Sequence, residues 1–225
     1  LFATVFFERD AWRSYTIGTY EGIDTSSIPN SSKIVSNPNY AYKGMSSVGI
    51  DSRMNSDDGK TPNSGFCLKK YLDDSDEKIS VGASKTNWIV FRLAEMYLIR
   101  AEALFEQSKY QEAAEALNAT RARAGISLVN ASSITLDKVR NERRVELAFE
   151  NSRYWDLRRW RIAESVLNYR FTGLRIIYHH ASEKYYFLPI NCETFTRVFR
   201  PQHYYNPITT SRINNDPDLI ENPLY

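Results

Sequence analysis

The stretch Asn141–Trp160, NERRVELAFENSRYWDLRRW, sets the tightest limit on what this chain can fold into. Five arginines, with Arg140 and Arg161 at its edges, and the acids Glu142, Glu146, Glu150 and Asp156 interleave with Val145, Leu147, Phe149, Tyr154, Trp155, Leu157 and Trp160. A solvated charge run carries few large aromatics, and an ordinary core helix carries few charges. Having both implies charges that are paired and at least partly desolvated. Within one helix Arg143 and Glu146 are three residues apart and Glu146 and Glu150 four, so each can reach a neighbour. A guanidinium meets a carboxylate as a bidentate fork, which favours Arg over Lys where pairs must be ordered. Glu142, Arg143, Arg144, Glu146, Glu150, Arg153, Asp156 and Arg158 are therefore expected to form a structural ion-pair network. The competing reading is a partly exposed amphipathic helix with incidental pairs.

The length of 225 residues fits one domain of ordinary size, or one and a half small ones. Hydrophobic residues make up 42%, enough for a core, and a net charge of +2 points to no nucleic acid or acidic membrane. The 15 tyrosines suit wet recognition surfaces and half-buried positions alike. Cys67 and Cys192 fit neither a metal-ligand spacing nor a dense disulfide framework. They read as isolated thiols, with one long-range disulfide as the alternative. No run reaches the length of a membrane helix, and no signal peptide is present. The opening LFATVFFERDAW follows no Met and reads as internal to a longer precursor.

Leu1–Tyr20 reads as one or two strands, and Glu21–Gly65 as a long loop rich in Ser, Asn, Asp, Gly and Pro. Gly65–Leu72 reads as a short strand and Asp73–Glu77 as an acidic turn. From Trp88, Val90, Leu93, Ala94, Tyr97, Leu98, Ala101, Leu104 and Phe105 recur at helical steps. Ser108 breaks that helix, and a second, with an alanine face, stops at Gly125. Thr135 caps a third helix running to Glu150, with Asp137 in its first turn. Asn151 supplies a left-handed cap, and a fourth helix spans Tyr154–Leu167. Leu174–Tyr178 and Lys184–Ile190 form a hairpin around HHASE, followed by an irregular tail.

FRLAEMYLIRAEALFE at Phe91–Glu106, followed by RYWDLRRW at Arg153–Trp160, resembles the C-terminal half of the SusD/RagB family. YYFLPI at Tyr185–Ile190, DPDLIENPLY at Asp216–Tyr225 and GKTPNSGFCLKKYL at Gly59–Leu72 extend the resemblance over most of residues 59–225. It implies a mainly α fold with a tetratricopeptide-like helix pair (KYQEAAEALN at Lys109–Asn118 as its second helix), long irregular loops and a small β element. It also implies a surface lipoprotein of the outer membrane that partners a SusC-like TonB-dependent transporter. Its cargo would be oligosaccharide or polysaccharide, or peptide as in the RagB branch, with no cofactor. Three departures stand out: an absent N-terminal half with its lipid anchor, Asn151-Ser152 where relatives have Gly-His, and an insertion at 191–215. The expected layout is a strand and loop region at 1–87, a helical core at 88–170, and a hairpin with its tail at 171–225. Without the N-terminal half, the Trp88–Gly125 pair should expose an apolar face.

Sugar recognition needs flat aromatic faces beside amides, carboxylates or guanidiniums. Trp12, Tyr15, Tyr20, Tyr40, Tyr42 and Arg53, in or beside the long loop, are the first candidates. Arg200, His203, Tyr204 and Tyr205 in the insertion are the second. The competing readings are rings that anchor the loop and a surface strap or transporter contact. Trp88, Trp155 and Trp160 are assigned to packing. No nucleophile elbow, phosphate loop or metal motif is present, and His179-His180 point to opposite faces of a strand. Clustered oxygens at Asp51–Gly59 hint at calcium, but Arg53 interrupts the ligand spacing. The chain therefore reads as non-catalytic: a glycan-binding subunit, with a protein-interaction scaffold or a peptide-capturing subunit as the alternatives.

Overall fold

The computed structural model describes residues 4–29, 33–55, 61–73 and 84–225. They divide into two compact units, Asn87–Ala163 and the pair of segments Leu1–Thr86 and Glu164–Tyr225.

The first unit is helical: α1 (Leu93–Glu106), α2 (Tyr110–Arg123), α3 (Leu136–Glu146) and α4 (Ser152–Arg159). Leu98 and Ala101 of α1 bury against Ala113, Ala114, Ala116 and Leu117 of α2, and Val139 and Leu147 close the core. Small alanines let the two helix backbones approach closely. Ser108, in the left-handed region at φ 61°, separates α1 from α2, and Gly125 (φ 67°) ends the second helix in open space, as its glycine predicts. The Thr135 hydroxyl accepts the Lys138 amide at 3.2 Å, the expected cap.

Three boundaries differ from expectation. The first helix starts at Leu93 rather than Trp88, leaving Val90 and Phe91 exposed ahead of it. The third helix stops at Glu146, short of Glu150, where Arg92 Nη2 takes up the Glu146 carbonyl at 2.6 Å. Phe149 (φ 65°) and Asn151 (φ 62°) then turn the chain into α4. The fourth helix is divided, because Arg161 (φ 56°) interrupts it before a short α5 (Ala163–Leu167).

The arginine-rich stretch forms its network mainly between helices. Arg143 donates from Nε to Asp156 at 2.7 Å and from Nη2 to Glu95 at 2.9 Å, tying α3 to α4 and α1. Arg92 reaches Glu150 and Glu146, Arg123 reaches Glu146, and Arg121 reaches Glu142. Arg159 forks onto Glu102 at 2.6 and 2.9 Å, and the Trp160 indole donates to the same carboxylate at 2.7 Å. One member sits differently from expectation. Among the described residues Arg144 makes no ion pair, and it is exposed. Arg158 lies over the Tyr154 and Trp155 rings and Arg153 over Trp160, so these guanidiniums contact aromatic faces.

The packing role expected of three tryptophans holds for Trp160 alone, which is buried. Trp88 and Trp155 are each 60% exposed. Helical spacing identifies a common face but does not say that anything covers it. Leu93, Met96 and Ile99 are exposed too, the apolar face anticipated on this helix pair.

The second unit is built from strands and turns. Its main sheet has the order β10-β9-β4-β5, with β4 (Ile23–Asp24), β5 (Ile34–Val35), β9 (Thr172–His179) and β10 (Lys184–Asn191). β9 and β10 form the expected hairpin, longer by one or two residues at most ends, in the register Tyr185↔Tyr178. β4 runs parallel to β9, Ile23 opposite Tyr178, and places Ile23 in a core with Ile176 and Tyr20. Three two-stranded pairs complete the unit: β1 (Val5–Phe6) with β8 (Cys67–Leu68), β2 (Ala11–Trp12) with β3 (Tyr15–Thr16), and β6 (Ala41–Tyr42) with β7 (Met45–Ser46). The segment expected as one long loop is therefore punctuated by short strands, held by turn hydrogen bonds such as Gly49 N to Tyr20 O at 2.8 Å. The insertion carries a 3-10 turn at Pro201–Tyr204 and a helix α6 at Thr210–Asn215. The acidic turn expected at Asp73–Glu77 lies, beyond Asp73, outside the described residues.

Candidate functional site

Within the strand-and-loop unit, a cavity of about 600 Å³ opens between the Glu8–Tyr20 segment, the Met45–Asn55 turns and the hairpin. Its walls carry Tyr20, Tyr178 and Tyr185, with Glu8, Arg9 and Asn55 as polar groups. The rings form one cluster: Tyr178 and Tyr185 have centroids 5.0 Å apart, and Tyr20 and Tyr185 6.1 Å in an edge arrangement. Aromatic walls with a few fixed polar groups are the ordinary composition of a ligand pocket.

Glu8 organises this wall. Its Oε2 accepts the Thr19 amide at 2.6 Å, the Tyr20 amide at 2.9 Å and the Thr19 hydroxyl at 3.2 Å. Burial raises its pKa above the ordinary carboxylate value, and the hydrogen bonds from Thr19, Tyr185 and Tyr20 oppose that rise. Tyr185 is pushed upward by burial, by the Glu8 charge and by the hydrogen bond to it. The Tyr20 hydroxyl donates to the Ser46 carbonyl at 2.9 Å, fixing its ring. Gly18 and Gly49 let two backbone segments meet: a Cβ at Gly49 would lie 2.2 Å from the Gly18 carbonyl oxygen.

The first candidate set is only partly brought together here. Tyr20 is buried, at 7% exposure, and is a wall of the cavity. Tyr15 is partly exposed near it, its hydroxyl donating to Asp51 at 2.7 Å. Tyr42 packs on the core and meets His180 edge-on with centroids 5.1 Å apart. Arg53 forks onto Glu21 at 2.8 and 3.0 Å and so is engaged in the fold. Trp12 packs edge-on against Phe6 with Lys69 over its ring, away from the cavity lining, and Tyr40 is exposed. In the second set, His203 and Tyr204 rest against Phe199, with centroids 5.5 and 5.0 Å away. His203 Nδ1 accepts the Arg200 amide at 3.0 Å, and the Tyr205 carbonyl accepts the Tyr225 hydroxyl at 3.2 Å.

Glu8, Arg9, Tyr178 and Tyr185 were not identifiable as one site from sequence, since about 170 residues separate the two groups. One signal was present: an acid and a base interrupt an otherwise apolar strand-like run, VFFER. His179, fully buried, donates from Nε2 to the Ser26 carbonyl at 3.0 Å and meets the Ser182 hydroxyl at Nδ1, 2.6 Å away. It braces the hairpin turn. Among the described residues no group of three or more His, Cys, Asp or Glu side chains could hold a metal. The stretch considered for calcium lies partly outside those residues, and within it Asp51 accepts from Tyr15 and Gly18. Cys67 and Cys192 are free thiols.

Known proteins match this chain in sequence and in fold. The SusD family profile matches residues 2–225, and the chain belongs to that family. A SusD-like protein of Bacteroides ovatus is 32% identical over 170 residues, covering 68% of this chain and 31% of the relative. SusD-like protein P38 of Formosa agariphila is 37% identical over 100 residues, 40% of this chain and 20% of the relative. The chain thus spans about a third or less of the length of these relatives. A SusD-like crystal structure from Bacteroides fragilis superposes with a TM-score of 0.67 at 24% identity, covering 100% of this chain and 38% of that one. A SusD-like carbohydrate binding protein from the same species gives 0.61 at 24% identity, over 96% of this chain and 40% of its own. At that identity the structures establish the shared fold.

Proposed function

We propose that this chain is the part of a non-catalytic glycan-capture subunit that carries a saccharide cavity. The supporting observation is the pocket walled by Tyr20, Tyr178 and Tyr185 and lined by Glu8, Arg9 and Asn55. Tyrosine faces suit the C–H faces of pyranose rings, and the amide and guanidinium suit hydroxyls. Among the candidate residues drawn from sequence, Tyr20 belongs to this cavity and Tyr15 stands beside it. In this reading the whole protein is a surface lipoprotein of the outer membrane. A SusC-like TonB-dependent transporter takes up the oligosaccharide or polysaccharide it holds, and no bond is cleaved. Isothermal titration with a panel of plant, host and microbial oligosaccharides tests it. Binding lost in Tyr185→Ala is the expected outcome; heat for no saccharide, or binding indifferent to that change, overturns it.

A second reading, a protein-interaction scaffold or peptide-capturing subunit, is favoured by one observation. Val90, Phe91, Leu93, Met96 and Trp155 of the helical unit are exposed, and large exposed apolar side chains grouped on one unit suit a partner surface. A chain silent toward every glycan yet retained by its transporter would favour this alternative.

A further inference from the structure

The cavity has a cation at its rim that no described side chain neutralises. Arg9 lines the opening and is exposed, and among the described residues its guanidinium makes no ion pair or hydrogen bond. Its backbone is fixed, with φ at 67° and its amide donating to the Ile17 carbonyl at 2.9 Å. Two other arginines of this unit are matched, Arg53 with Glu21 and Arg197 with Glu193. Among the described residues the one carboxylate in the cavity lining, Glu8, is committed to the Thr19 and Tyr20 amides, the Thr19 hydroxyl and the Tyr185 hydroxyl. Arg9 nevertheless stands close enough to the tyrosine wall for its charge to be felt at the Tyr185 hydroxyl.

A guanidinium presents a planar fork of donors that matches a carboxylate or sulfate, and the match strengthens where one side is walled from water. A neutral sugar would use the tyrosine faces and leave the fork hydrated. We propose that the cavity selects saccharides bearing an anionic group, with the oxyanion on Arg9 and the sugar's C–H faces on Tyr185 and Tyr178. This deepens the capture reading and rests on it.

The test is calorimetric titration of the whole chain with three oligosaccharides of equal length: neutral galactan, oligogalacturonate and a sulfated galactan. Wild type is expected to favour at least one anionic ligand by about tenfold, the scale of one charge-assisted hydrogen bond. The preferred arm identifies carboxylate or sulfate as the natural group. Arg9→Gln should bring the anionic-to-neutral ratio near one, Arg9→Lys should restore part of it, and added salt should shrink it. Arg144→Gln, which removes an exposed charge from the helical unit, should leave the ratio unchanged. Circular dichroism of each variant confirms folding. Equal affinity for neutral and anionic ligands, or a ratio untouched by Arg9→Gln, overturns the anion selectivity while the capture reading stands. Heat in none of the three arms overturns the anion selectivity, and heat for no saccharide of the wider panel, or binding indifferent to Tyr185→Ala, overturns both.

Discussion

In the helical unit Asp156 is buried against two guanidiniums, Arg143 and Arg159, whereas in the strand-and-loop unit Glu8 is buried against backbone amides and hydroxyls. Asp156 and Arg143 neutralise one another, at 3% and 6% exposure, and each holds the other's helix in place. Glu8 receives only neutral donors among the described residues, so burial dominates and its pKa rises. The first arrangement uses charge in pairs to fix geometry. The second holds a wall with a single acid and leaves the neighbouring cation, Arg9, to the cavity mouth.

The sharpest way to break this contrast is Asp156→Ala. It removes one of the two carboxylates that hold buried Arg143 and leaves only Glu95, and up to about 3–5 kcal/mol of stability should be lost, read by chemical denaturation on the helical circular dichroism signal. Combining Arg143→Met with Asp156→Leu should recover part of that loss, because the most buried pair is then gone as a unit while Glu95 gives up its partner. Next in size is Gly49→Ala, whose Cβ would meet the Gly18 carbonyl at 2.2 Å. The wall must shift, at about 1–3 kcal/mol, and saccharide titration should weaken with it.

The Glu8 contribution depends on pH with a definite sign. Its folded pKa is raised, so the folded state holds a proton that the unfolded chain has released. That stabilisation is complete below the ordinary value of 4.5 and is lost as pH rises through the raised one. Glu8→Gln should flatten this slope in thermal melts taken from pH 4.5 toward neutrality. A steeper fall in the variant than in wild type would reverse the assignment. The smallest effect is expected at Thr135→Ala, where one cap bond is removed and about 1 kcal/mol should go, measured by the same denaturation.

Local features were legible because their causes are local. The Thr135 cap, the Gly125 stop, the left-handed Asn151 and the β9–β10 hairpin each follow from residues within a few positions of one another. The ion-pair network was legible in kind, since arginines among aromatics imply pairing. Its partners were not: Glu95, Glu102 and Arg92 lie 48 to 58 residues from Arg143, Arg159 and Glu150. Helical spacing specifies neighbours at three and four residues, and says nothing about which helix comes alongside. The same gap explains the tryptophans. Trp160 is buried because Glu102 receives its indole N–H, a partner that the local pattern around Trp155 and Trp160 does not reveal. At the cavity, tyrosine abundance pointed to recognition, and Tyr20 was among the residues singled out. Tyr178 and Tyr185 read as hairpin strand, which they are. The pairing of β4 with β9, between segments about 150 residues apart, helps bring them beside Glu8.

That parallel pairing has a consequence for biosynthesis. The helical unit is inserted between the two segments of the other unit, so Glu8, Tyr20 and Asn55 leave the ribosome long before Tyr178 and Tyr185. A translation product cut short within the helices could complete α1 to α3 yet would possess half a cavity. Completion of the cavity is thereby tied to synthesis of the closing hairpin, and a premature stop would yield a chain without its tyrosine wall.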